Sequence, residues 1–454
     1  MKKKHLLAIL TLGFGALAFA SCSSSNDDPT PDPPIVNKEI TGEITQSVTY
    51  KRGSYVLKGF VYIKNGATVT FEAGSVIKGD KDSKATIIVT RGGKLVANGT
   101  EADPVVFTSG QPAGQRAPGD WGGIILLGKA PINVTGGESV IEGGVDNTAG
   151  DGKYGGNDPA DNSGSLKYVR IEYPGIAFQP NNEINGLTCG GVGSGTTLDH
   201  IQVSFSGDDS FEFFGGTVNA KYLVSVHATD DNFDFDNGFS GKLQFIIAQQ
   251  DPAFADNAGT GASNGIESDN DANGTTNTPI TRPVISNMTL IGVNSTANTH
   301  HAAGNHWRRS SKLVVRNSII TGFATAGVLI ESDNTAASLK DGSSEFKDNL
   351  VYGIAKPFGV KGTTAATYVD DAALNAAFTL LGNSALNTAA DAGIEDAFNQ
   401  TAPNFLLKSA SVAKTGASFT GLDSYFTQVT YKGAFDTTNW TSGWGNFNPQ
   451  ATTY

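Results

Sequence analysis

Cysteine, long apolar runs and charged side chains are all scarce in this sequence, and each scarcity excludes a class of protein. The chain has 454 residues but only two cysteines, Cys22 and Cys189. Cys22 lies at the end of an apolar N-terminal leader, outside the segment that is expected to fold, so Cys189 has no partner for an internal disulfide. The apolar residues around Cys189 predict a buried packing thiol. No apolar run after residue 21 spans a membrane. Charged residues make up 17%, yet aliphatic and aromatic residues are too frequent for a disordered chain.

Basic residues are the scarcer of the two charge signs. Lysine and arginine number 32 against 44 aspartate and glutamate residues, so the formal net charge is −12. Loss of Lys2, Lys3 and Lys4 with the leader would bring it to −15. A surface of this sign argues against nucleic acid and against anionic lipid as partners.

Glycine, in contrast, is abundant, with 56 residues, and long helical patterns are few. The length exceeds the roughly 250 to 300 residues that one hydrophobic core usually supports. The chain is therefore several domains or one elongated array of repeats, and its glycine content favours the array.

The clearest internal repeat is a phrase that occurs twice. Gly207 to Gly216 reads Gly-Asp-Asp-Ser-Phe-Glu-Phe-Phe-Gly-Gly, and Thr229 to Gly238, 22 residues later, reads Thr-Asp-Asp-Asn-Phe-Asp-Phe-Asp-Asn-Gly. A weaker third copy spans Ser263 to Asp269. A strand-like segment that recurs with its carboxylate in register indicates a solenoid.

The rest of the chain fits coils of three short strands. From Phe60 onward, period-two apolar segments alternate with Asn-Gly and Gly turns, and one strand type returns at intervals of 22 to 42 residues. Asn287, Asn317 and Asn349 are expected at matching corners, where their side chains would cap backbone groups. These patterns predict an all-β parallel β-helix over residues 38–365.

Residues 366–454 are predicted to form a small mixed C-terminal cap. A short helix is expected after Tyr368, with Asp370 as its N-cap and Gly382 as its end. The final residues, which include Trp440 and Trp444, are expected to cover the open end of the stack, because a terminal coil exposes unpaired strand edges.

The N-terminus carries a targeting signal. Lys2 to Lys4 precede an apolar stretch from Leu6 to Phe19, and Phe19-Ala20-Ser21-Cys22 resembles the cleavage motif of a bacterial lipoprotein. The resemblance implies that residues 1–21 are a signal peptide, that Cys22 is lipidated, and that residues 22–37 form a flexible tether. Ser23 to Asp28 resembles the acidic export signal of Bacteroidota lipoproteins, which implies an outer-membrane anchor exposed on the cell surface.

An acidic strip is predicted along one edge of the coils. In Phe211-Glu212-Phe213 and Phe233-Asp234-Phe235, alternation places the phenylalanines inside and the carboxylates outside. Stacked carboxylates about 4.8 Å apart repel by roughly 3 kcal/mol at an effective dielectric of 20. A cation would relieve this, and Ca²⁺ suits a set of oxygen ligands. The candidate ligands, which we call the acidic strip, are Asp208, Asp209, Glu212, Asp230, Asp231, Asp234, Asp236, Glu267 and Asp269. The competing interpretation is that these residues only form turns and cap backbone groups.

A catalytic interpretation starts from the same residues. The corner carboxylates Asp208, Asp209, Asp230 and Asp231 are similar to the acidic pair of pectin-degrading hydrolases, although the Gly-His-Gly and Arg-Ile-Lys motifs of those enzymes are missing. A lyase would need a basic residue beside calcium, and no arginine occurs between residues 170 and 282 unless another coil supplies one.

Three histidines and a tryptophan are further candidate site residues. His300, His301 and His306 lack a strong metal-ligand spacing. Trp307 with Arg308 could stack a sugar ring or pair with an acidic one.

Several blocks together resemble a family of Bacteroidota outer-membrane lipoproteins over nearly the whole mature chain. They are the lipoprotein motif, Asp208 to Ala220, Gly119 to Leu126, and Tyr431 to Pro449. The resemblance implies a right-handed parallel β-helix of the pectin-lyase-like type. The expected function is a non-catalytic binding or adhesion protein that engages a glycan or a surface protein, and the alternative is a polysaccharide lyase or glycoside hydrolase.

Overall fold

The structure is a computed structural model, and it describes residues 38–179, 182–257 and 261–454. The predictions of a signal peptide over residues 1–21, a lipidated Cys22 and a tether over residues 22–37 lie outside the described residues. Within the described residues, no helix is long and apolar enough to cross a membrane.

Short strands dominate the described chain. In chain order they are β1 (Lys38–Ile44), β2 (Val48–Tyr50), β3 (Ser54–Ile63), β4 (Thr68–Phe71), β5 (Val76–Gly79), β6 (Thr86–Val89), β7 (Lys94–Asn98), β8 (Val105–Ser109), β9 (Gly123–Leu127), β10 (Ser139–Val140), β11 (Lys153–Tyr154), β12 (Gly164–Glu172), β13 (Ala177–Gln179), β14 (Asn182–Glu183), β15 (Leu187–Val192) and β16 (Thr197–Ser204). The series continues with β17 (Phe211–Gly216), β18 (Asn219–Val226), β19 (Phe233–Asp236), β20 (Lys242–Gln249), β21 (Ile266–Ser268), β22 (Val284–Ile291), β23 (Ala303–Trp307), β24 (Val314–Arg316), β25 (Ile319–Phe323), β26 (Ala326–Glu331), β27 (Glu345–Lys347), β28 (Leu350–Gly353), β29 (Phe358–Lys361), β30 (Ser384–Ala385), β31 (Ile394–Asp396) and β32 (Asn404–Leu407). The helices are α1 (Asp333–Lys340) and α2 (Asp371–Leu380), with single 3₁₀ turns at Ala389–Ala392, Val412–Lys414 and Pro449–Ala451.

Most strands pair in parallel along three faces of a coiled stack, which confirms the predicted parallel β-helix. The first face joins β2, β4 and β7 to the first halves of β12, β16, β18, β20 and β22, and then to β24 and β27. The second face runs from the first half of β3 through β5, β8 and the second halves of β12 to β22, and then to β25, β28 and β30. The third face runs from the second half of β3 through β6, β9, β15, β17, β19, β21, β23, β26 and β29.

The chain bends between the first two faces at one left-handed residue in each coil. Tyr168, His200, Tyr222 and Phe245 occupy this position in successive coils with φ between +50° and +60°. Left-handed backbone costs a residue with a Cβ roughly 1 kcal/mol or more. The rings of these residues stack on the outside of the bend at centroid distances of 4.4, 4.3 and 5.2 Å, which offsets part of that cost.

Asparagine takes over the bend in later coils. Asn287 and Asn317 adopt the left-handed conformation and stand in equivalent places, as the sequence predicted. The prediction is wrong for Asn349, because Asp348 occupies the bend and Asn349 follows it by one residue. Asn349 still acts as a cap, since its Oδ1 accepts from the Ser318 N–H at 2.8 Å.

The interior of the stack is apolar, and the repeated phrase supplies its largest rings. Phe211 stacks on Phe233 at 5.2 Å and Phe213 on Phe235 at 5.6 Å, all fully buried. Burial of each ring contributes roughly 2 to 3 kcal/mol. Cys189 lies among them with no exposed surface, and burial raises the pKa of its thiol above the ordinary range, as expected of a packing residue.

The strand β9 is buried along its whole length, in keeping with its unbroken apolar sequence. One set of its side chains enters the core, and Ile125 and Leu127 face outward with Ile88 of β6. The segment that follows β9 folds back over this outer surface through Ile132, Ile141, Val145 and Tyr154. We call residues 129–164 the excursion.

Of the two α-helices, the sequence predicted α2 but not α1. Helix α2 begins after Asp370, whose carboxylate accepts from the Ala373 N–H at 2.9 Å, and its Leu374 and Phe378 close the end of the core. Helix α1 lies inside the segment predicted to be only β-helix. It was not predicted because it has only eight residues, too few to show a helical period, and its N-cap Ser332 makes no side-chain capping hydrogen bond.

The last residues do not cover the end of the stack, and that part of the predicted cap is wrong. Residues 418–454, which we call the strap, run back along the side of the coils. The buried amides of Gln202, Gln244 and Asn317 each bond both the N–H and the C=O of one strap residue: Asn446, Thr427 and Ser418, at 2.6 to 3.0 Å. The second face needs this cover because Val224, Val226, Ile247, Ile291 and Ile319 point outward from it.

Candidate functional site

The third face carries a column of polar side chains on its outer surface. Thr188, Glu212, Asp234, Glu267 and His306 stand in register on β15, β17, β19, β21 and β23. Their neighbours on each strand enter the core, so these side chains point outward, as the alternation predicted. The third copy of the repeated phrase therefore continues the column, as expected.

The corner before each strand carries a second column, which holds the coils together. Asp209 Oδ1 accepts from the Asp231 N–H at 2.8 Å, and Asp231 Oδ1 accepts from the Asn264 N–H. Asn264 Oδ1 accepts from the Ala303 N–H at 3.0 Å. The capping interpretation thus holds for one oxygen of Asp209 and of Asp231, and it leaves their other oxygens available.

The two columns together bring carboxylates close enough for one ion to bind several of them. Asp208, Asp209 and Asp230 form one group, and Asp209, Glu212 and Asp234 form another, each with one oxygen per residue within 4.8 Å of the others. Calcium lies 2.3 to 2.6 Å from its oxygen ligands, so two ligands of one ion are about 5 Å apart at most. Both groups meet that limit.

Four members of the acidic strip lie outside these groups. Asp231 serves as a cap, and Asp236 accepts from the Asn237 N–H at 2.6 Å. Glu267 and Asp269 pair with arginines instead. Of the nine predicted ligands, the structure therefore brings together Asp208, Asp209, Glu212, Asp230 and Asp234.

The strip faces outward but is largely covered. Asp209, Glu212 and Asp231 expose only 7%, 6% and 4% of their surfaces, so a solvated edge does not describe them. Glu142 of the excursion and Asn185 cover the strip from one side: the Asn185 side-chain amide donates to Glu142 at 3.0 Å and to Glu212.

Burial and mutual repulsion strongly raise the pKa values of the carboxyl groups in the acidic strip. Burial, reinforced by the neighbouring carboxylates, raises the pKa values of Asp208, Asp209, Glu212 and Asp234 well above their ordinary range. The same causes raise the pKa of Asp230 to about 8. Burial raises the pKa of Asp236 to about 7. These groups must either hold protons at neutral pH or have their charge balanced by a cation.

Basic side chains arrive from a later coil, a possibility that the sequence left open. Arg308 Nε donates to Asp269 at 2.9 Å and its Nη2 pairs with Glu267, while Arg309 donates to Asp269 at 2.6 Å. Burial opposes the charge of Arg308, but Glu267 and Asp269 outweigh it and raise its pKa further. Among the described residues, no salt bridge reaches the five grouped carboxylates.

A cleft of about 740 Å³ runs over this surface, with an adjoining compartment of about 340 Å³. The larger part is lined by Asp209, Asp230, Asp234, Glu267, His306 and Arg308, and the compartment by Glu142, Asn185, Asp208 and Glu212. His306 Nε2 donates to the Glu331 carboxylate at 2.8 Å, and this hydrogen bond lowers the pKa of Glu331 to about 2.

The expectation that Trp307 could stack on a sugar ring is wrong. Trp307 points into the core with no exposed surface, so it cannot stack on a sugar ring. His301 is buried with 1% exposure, and among the described residues no group of three metal-binding side chains includes a histidine.

Two residues that cover the acidic strip, Glu142 and Asn185, were not among the site residues predicted from the sequence. Glu142 is 66 residues before Asp208 in the chain, and only the folding of the excursion brings it to the site. The sequence does carry a signal for Asn185. The segment Asn185-Gly186-Leu187-Thr188 resembles the third copy of the repeated phrase, Asn264-Gly265-Ile266-Glu267, and it pairs in register with the first copy.

Comparison with known proteins gives one match. A family model described as a pectate-lyase-like β-helix domain matches residues 42–445. Neither the curated proteins nor the solved structures give a match.

Proposed function

We propose, since the chain belongs to the family of pectate-lyase-like β-helix domains, that it is a carbohydrate-binding protein whose acidic strip holds Ca²⁺. The fold is consistent with a carbohydrate-related protein, and the cleft is the concave surface where a glycan would lie. The calcium ions would bridge carboxylates of the strip and hydroxyl or carboxylate oxygens of the ligand.

The observation that carries this proposal is the convergence of Asp208, Asp209, Glu212, Asp230 and Asp234 within one covered surface. Purely structural carboxylates at this separation would repel each other by roughly 3 kcal/mol per pair at an effective dielectric of 20. Side-chain caps explain single oxygens of Asp209 and Asp231 only. A bound cation accounts for the remainder.

Calorimetric titration of the protein with CaCl₂ tests the cation, and a glycan array probed in CaCl₂ and in EDTA tests the ligand. We expect calcium binding that is lost in an Asp209→Asn variant and glycan binding that is lost in EDTA. Asp82→Asn is the matched control, because Asp82 is an exposed turn residue outside the acidic strip. No heat of calcium binding in the parent protein would contradict the proposal.

Catalysis is the second candidate, and Arg308 is the observation that favours it. Arg308 lines the same cleft as Asp230 and Asp234, where a lyase would place its basic residue. Carboxyls with raised pKa values beside other carboxylates also suit a general acid of a hydrolase. We place binding first because Glu267 and Asp269 hold Arg308 protonated, and a protonated arginine cannot take a proton from a substrate.

Incubation with a panel of polysaccharides separates the two candidates. New reducing ends or unsaturated products that disappear in Asp209→Asn would establish catalysis and overturn our preference. Calcium-dependent binding without products supports a binding protein.

We also propose that the protein is a lipoprotein of the Bacteroidota type, anchored through Cys22 to the outer membrane and exposed on the cell surface. The lipoprotein motif at Phe19 to Cys22 and the acidic segment Ser23 to Asp28 support this location. Mass spectrometry of the N-terminal peptide should find acyl chains on Cys22, and protease added to intact cells should degrade the protein. An unmodified Cys22 in the purified membrane fraction would contradict the anchor.

A further inference from the structure

The grouped carboxylates fall into two overlapping sets rather than one. We infer that the acidic strip binds two divalent cations that share the carboxylate of Asp209. The first cation position is completed by Asp208 and Asp230, and the second by Glu212 and Asp234. This inference rests on the calcium binding proposed above and specifies how many ions bind and where.

The geometry of the coils separates the two positions. Asp208 and Asp230 belong to the corner of their coils, whereas Glu212 and Asp234 belong to the strands that follow. Each pair spans one coil step of about 4.8 Å. Within the described part of the chain, no set of oxygens that fits one ion contains both Asp208 and Glu212. A single cation therefore cannot use all five carboxylates, while two cations can.

Charge also favours more than one cation, since Asp231 and Glu142, two further carboxyl groups that line the cleft and the compartment, only add to the negative charge. Five carboxylates carry five negative charges, and one divalent cation would leave three of them unbalanced in a covered site. Two cations would leave one, which a ligand or a proton can balance. Neighbouring carboxylates that are not balanced by a cation repel each other strongly in a covered site, so the second ion removes a substantial repulsion.

Buried oxygens without hydrogen-bond partners are an independent indication of ligands at the second position. Asp234 Oδ1 is buried with no partner, although its carboxylate stands in register with Glu212. Thr188 exposes 1% of its surface, faces outward next to Glu212, and its Oγ1 has no partner. Asn185 has no exposed surface, lines the compartment, and its Oδ1 also lacks a partner. A buried polar atom without a hydrogen-bond partner destabilises the fold, and Ca²⁺ binds neutral oxygens as well as carboxylates.

The position of Asp209 explains how one side chain can serve both ions. Its Oδ1 is fixed by the Asp231 N–H at 2.8 Å, which holds the carboxylate in one orientation between the two carboxylate pairs. Cations that share a carboxylate in this way are typically about 4 Å apart.

Stoichiometry tests the inference directly. The full-length protein in detergent is freed of metal, titrated with CaCl₂ at pH 8 in a calorimeter, and analysed for bound calcium after desalting. We expect two calcium ions per chain in the parent and in Asp82→Asn, one in Asp208→Asn and one in Glu212→Gln. Asp209→Asn should weaken both ions by at least tenfold. Circular dichroism of each variant checks that it has folded.

A titration with Tb³⁺ and Nd³⁺ needs no variant and measures ion separation. Ions about 4 Å apart should quench Tb³⁺ luminescence when the second equivalent is Nd³⁺. One bound ion per chain, or two ions without quenching, would overturn the two-cation inference while leaving the proposed calcium binding in place. No bound ion at all would overturn both.

Discussion

Calcium is expected to stabilise the fold more at alkaline than at acidic pH, because the acidic strip carries its full charge only at alkaline pH. The pKa of Asp230 rises from 3.8 to about 8 on folding. A difference of about 4 pK units corresponds to roughly 5 kcal/mol at 1.36 kcal/mol per unit. Since Asp230 is partly exposed, solvent screening reduces this to about 2 to 4 kcal/mol.

The sign of the effect follows from the direction of the shift. A carboxyl whose pKa is higher in the folded state favours folding fully below its unfolded pKa of 3.8 and loses that contribution as the pH rises through about 8. In EDTA the melting temperature should therefore fall between pH 5 and pH 8.5. At about 2.1 cal/mol/K of unfolding entropy per residue, a loss of about 2 to 4 kcal/mol over roughly 400 residues lowers the melting temperature by about 2 to 5 °C from this group alone.

Differential scanning calorimetry across pH 5 to 8.5, in EDTA and in CaCl₂, measures both halves of the effect. Calcium should cancel the fall, so that its stabilisation grows with pH. The double variant Asp230→Asn, Asp234→Asn supplies an informative control: it should melt higher than the parent in EDTA at pH 8.5, because repulsion is gone, and it should not respond to calcium. A melting temperature in EDTA that stays constant or rises from pH 5 to 8.5 would refute the reasoning.

Three further predictions concern the fold. Gln244→Ala removes both hydrogen bonds to Thr427, at 2.7 and 2.8 Å, and should lower the free energy of unfolding by about 2 kcal/mol. Amide hydrogen exchange should become faster only in residues 418–454, because the strap loses an attachment to the coils. Unchanged exchange in the strap would contradict this prediction. Gly164→Ala would place a Cβ 1.9 Å from the Leu95 carbonyl oxygen at a φ of +123°. We therefore expect the free energy of unfolding, measured in urea, to fall by more than about 3 kcal/mol. Asp370→Ala removes the side-chain cap of α2 and should lower the free energy of unfolding by about 1 kcal/mol in the same assay. Asp82→Ala, at an exposed turn residue, is the comparison and should have little effect.

The sequence predicted the features that depend on local periodicity. Alternation and the 22-residue repeat located the strands, their parallel stacking and the outward carboxylates, because side-chain direction and coil register follow from backbone geometry alone. They also located the shared interior of Phe211, Phe213, Phe233 and Phe235. These are short-range or strictly repeated relations, and one chain contains enough copies to reveal them.

Features that depend on contacts between distant segments were not predicted. The final residues were expected at the end of the stack because an open end needs cover, but the outward Val224, Ile247 and Ile319 leave an apolar surface along the side, which Phe435 and Trp444 cover. Glu142 and Arg308 reach the cleft from segments 66 residues before and 100 residues after Asp208. Neither pattern nor composition encodes which distant loop folds over which coil.

The two aspartates of each repeated Asp-Asp pair have different roles, and this difference explains where the acidic strip ends. In each copy the second residue, Asp209 or Asp231, uses one oxygen to cap the next coil, and the first residue, Asp208 or Asp230, makes no such cap. The third copy keeps the cap, since Asn264 accepts from the Ala303 N–H.

The third copy has lost the first residue of the pair, because Ser263 stands where the earlier copies have aspartate. Its outward Glu267 is paired with Arg308 rather than left for a cation. A serine at the corner and an arginine on the following coil therefore close the strip after two copies. If this reasoning is correct, Ser263→Asp combined with Arg308→Gln should add a third calcium ion in the calorimetric titration, and Ser263→Asp alone should not. Three ions in the single variant would show that the arginine does not limit the strip.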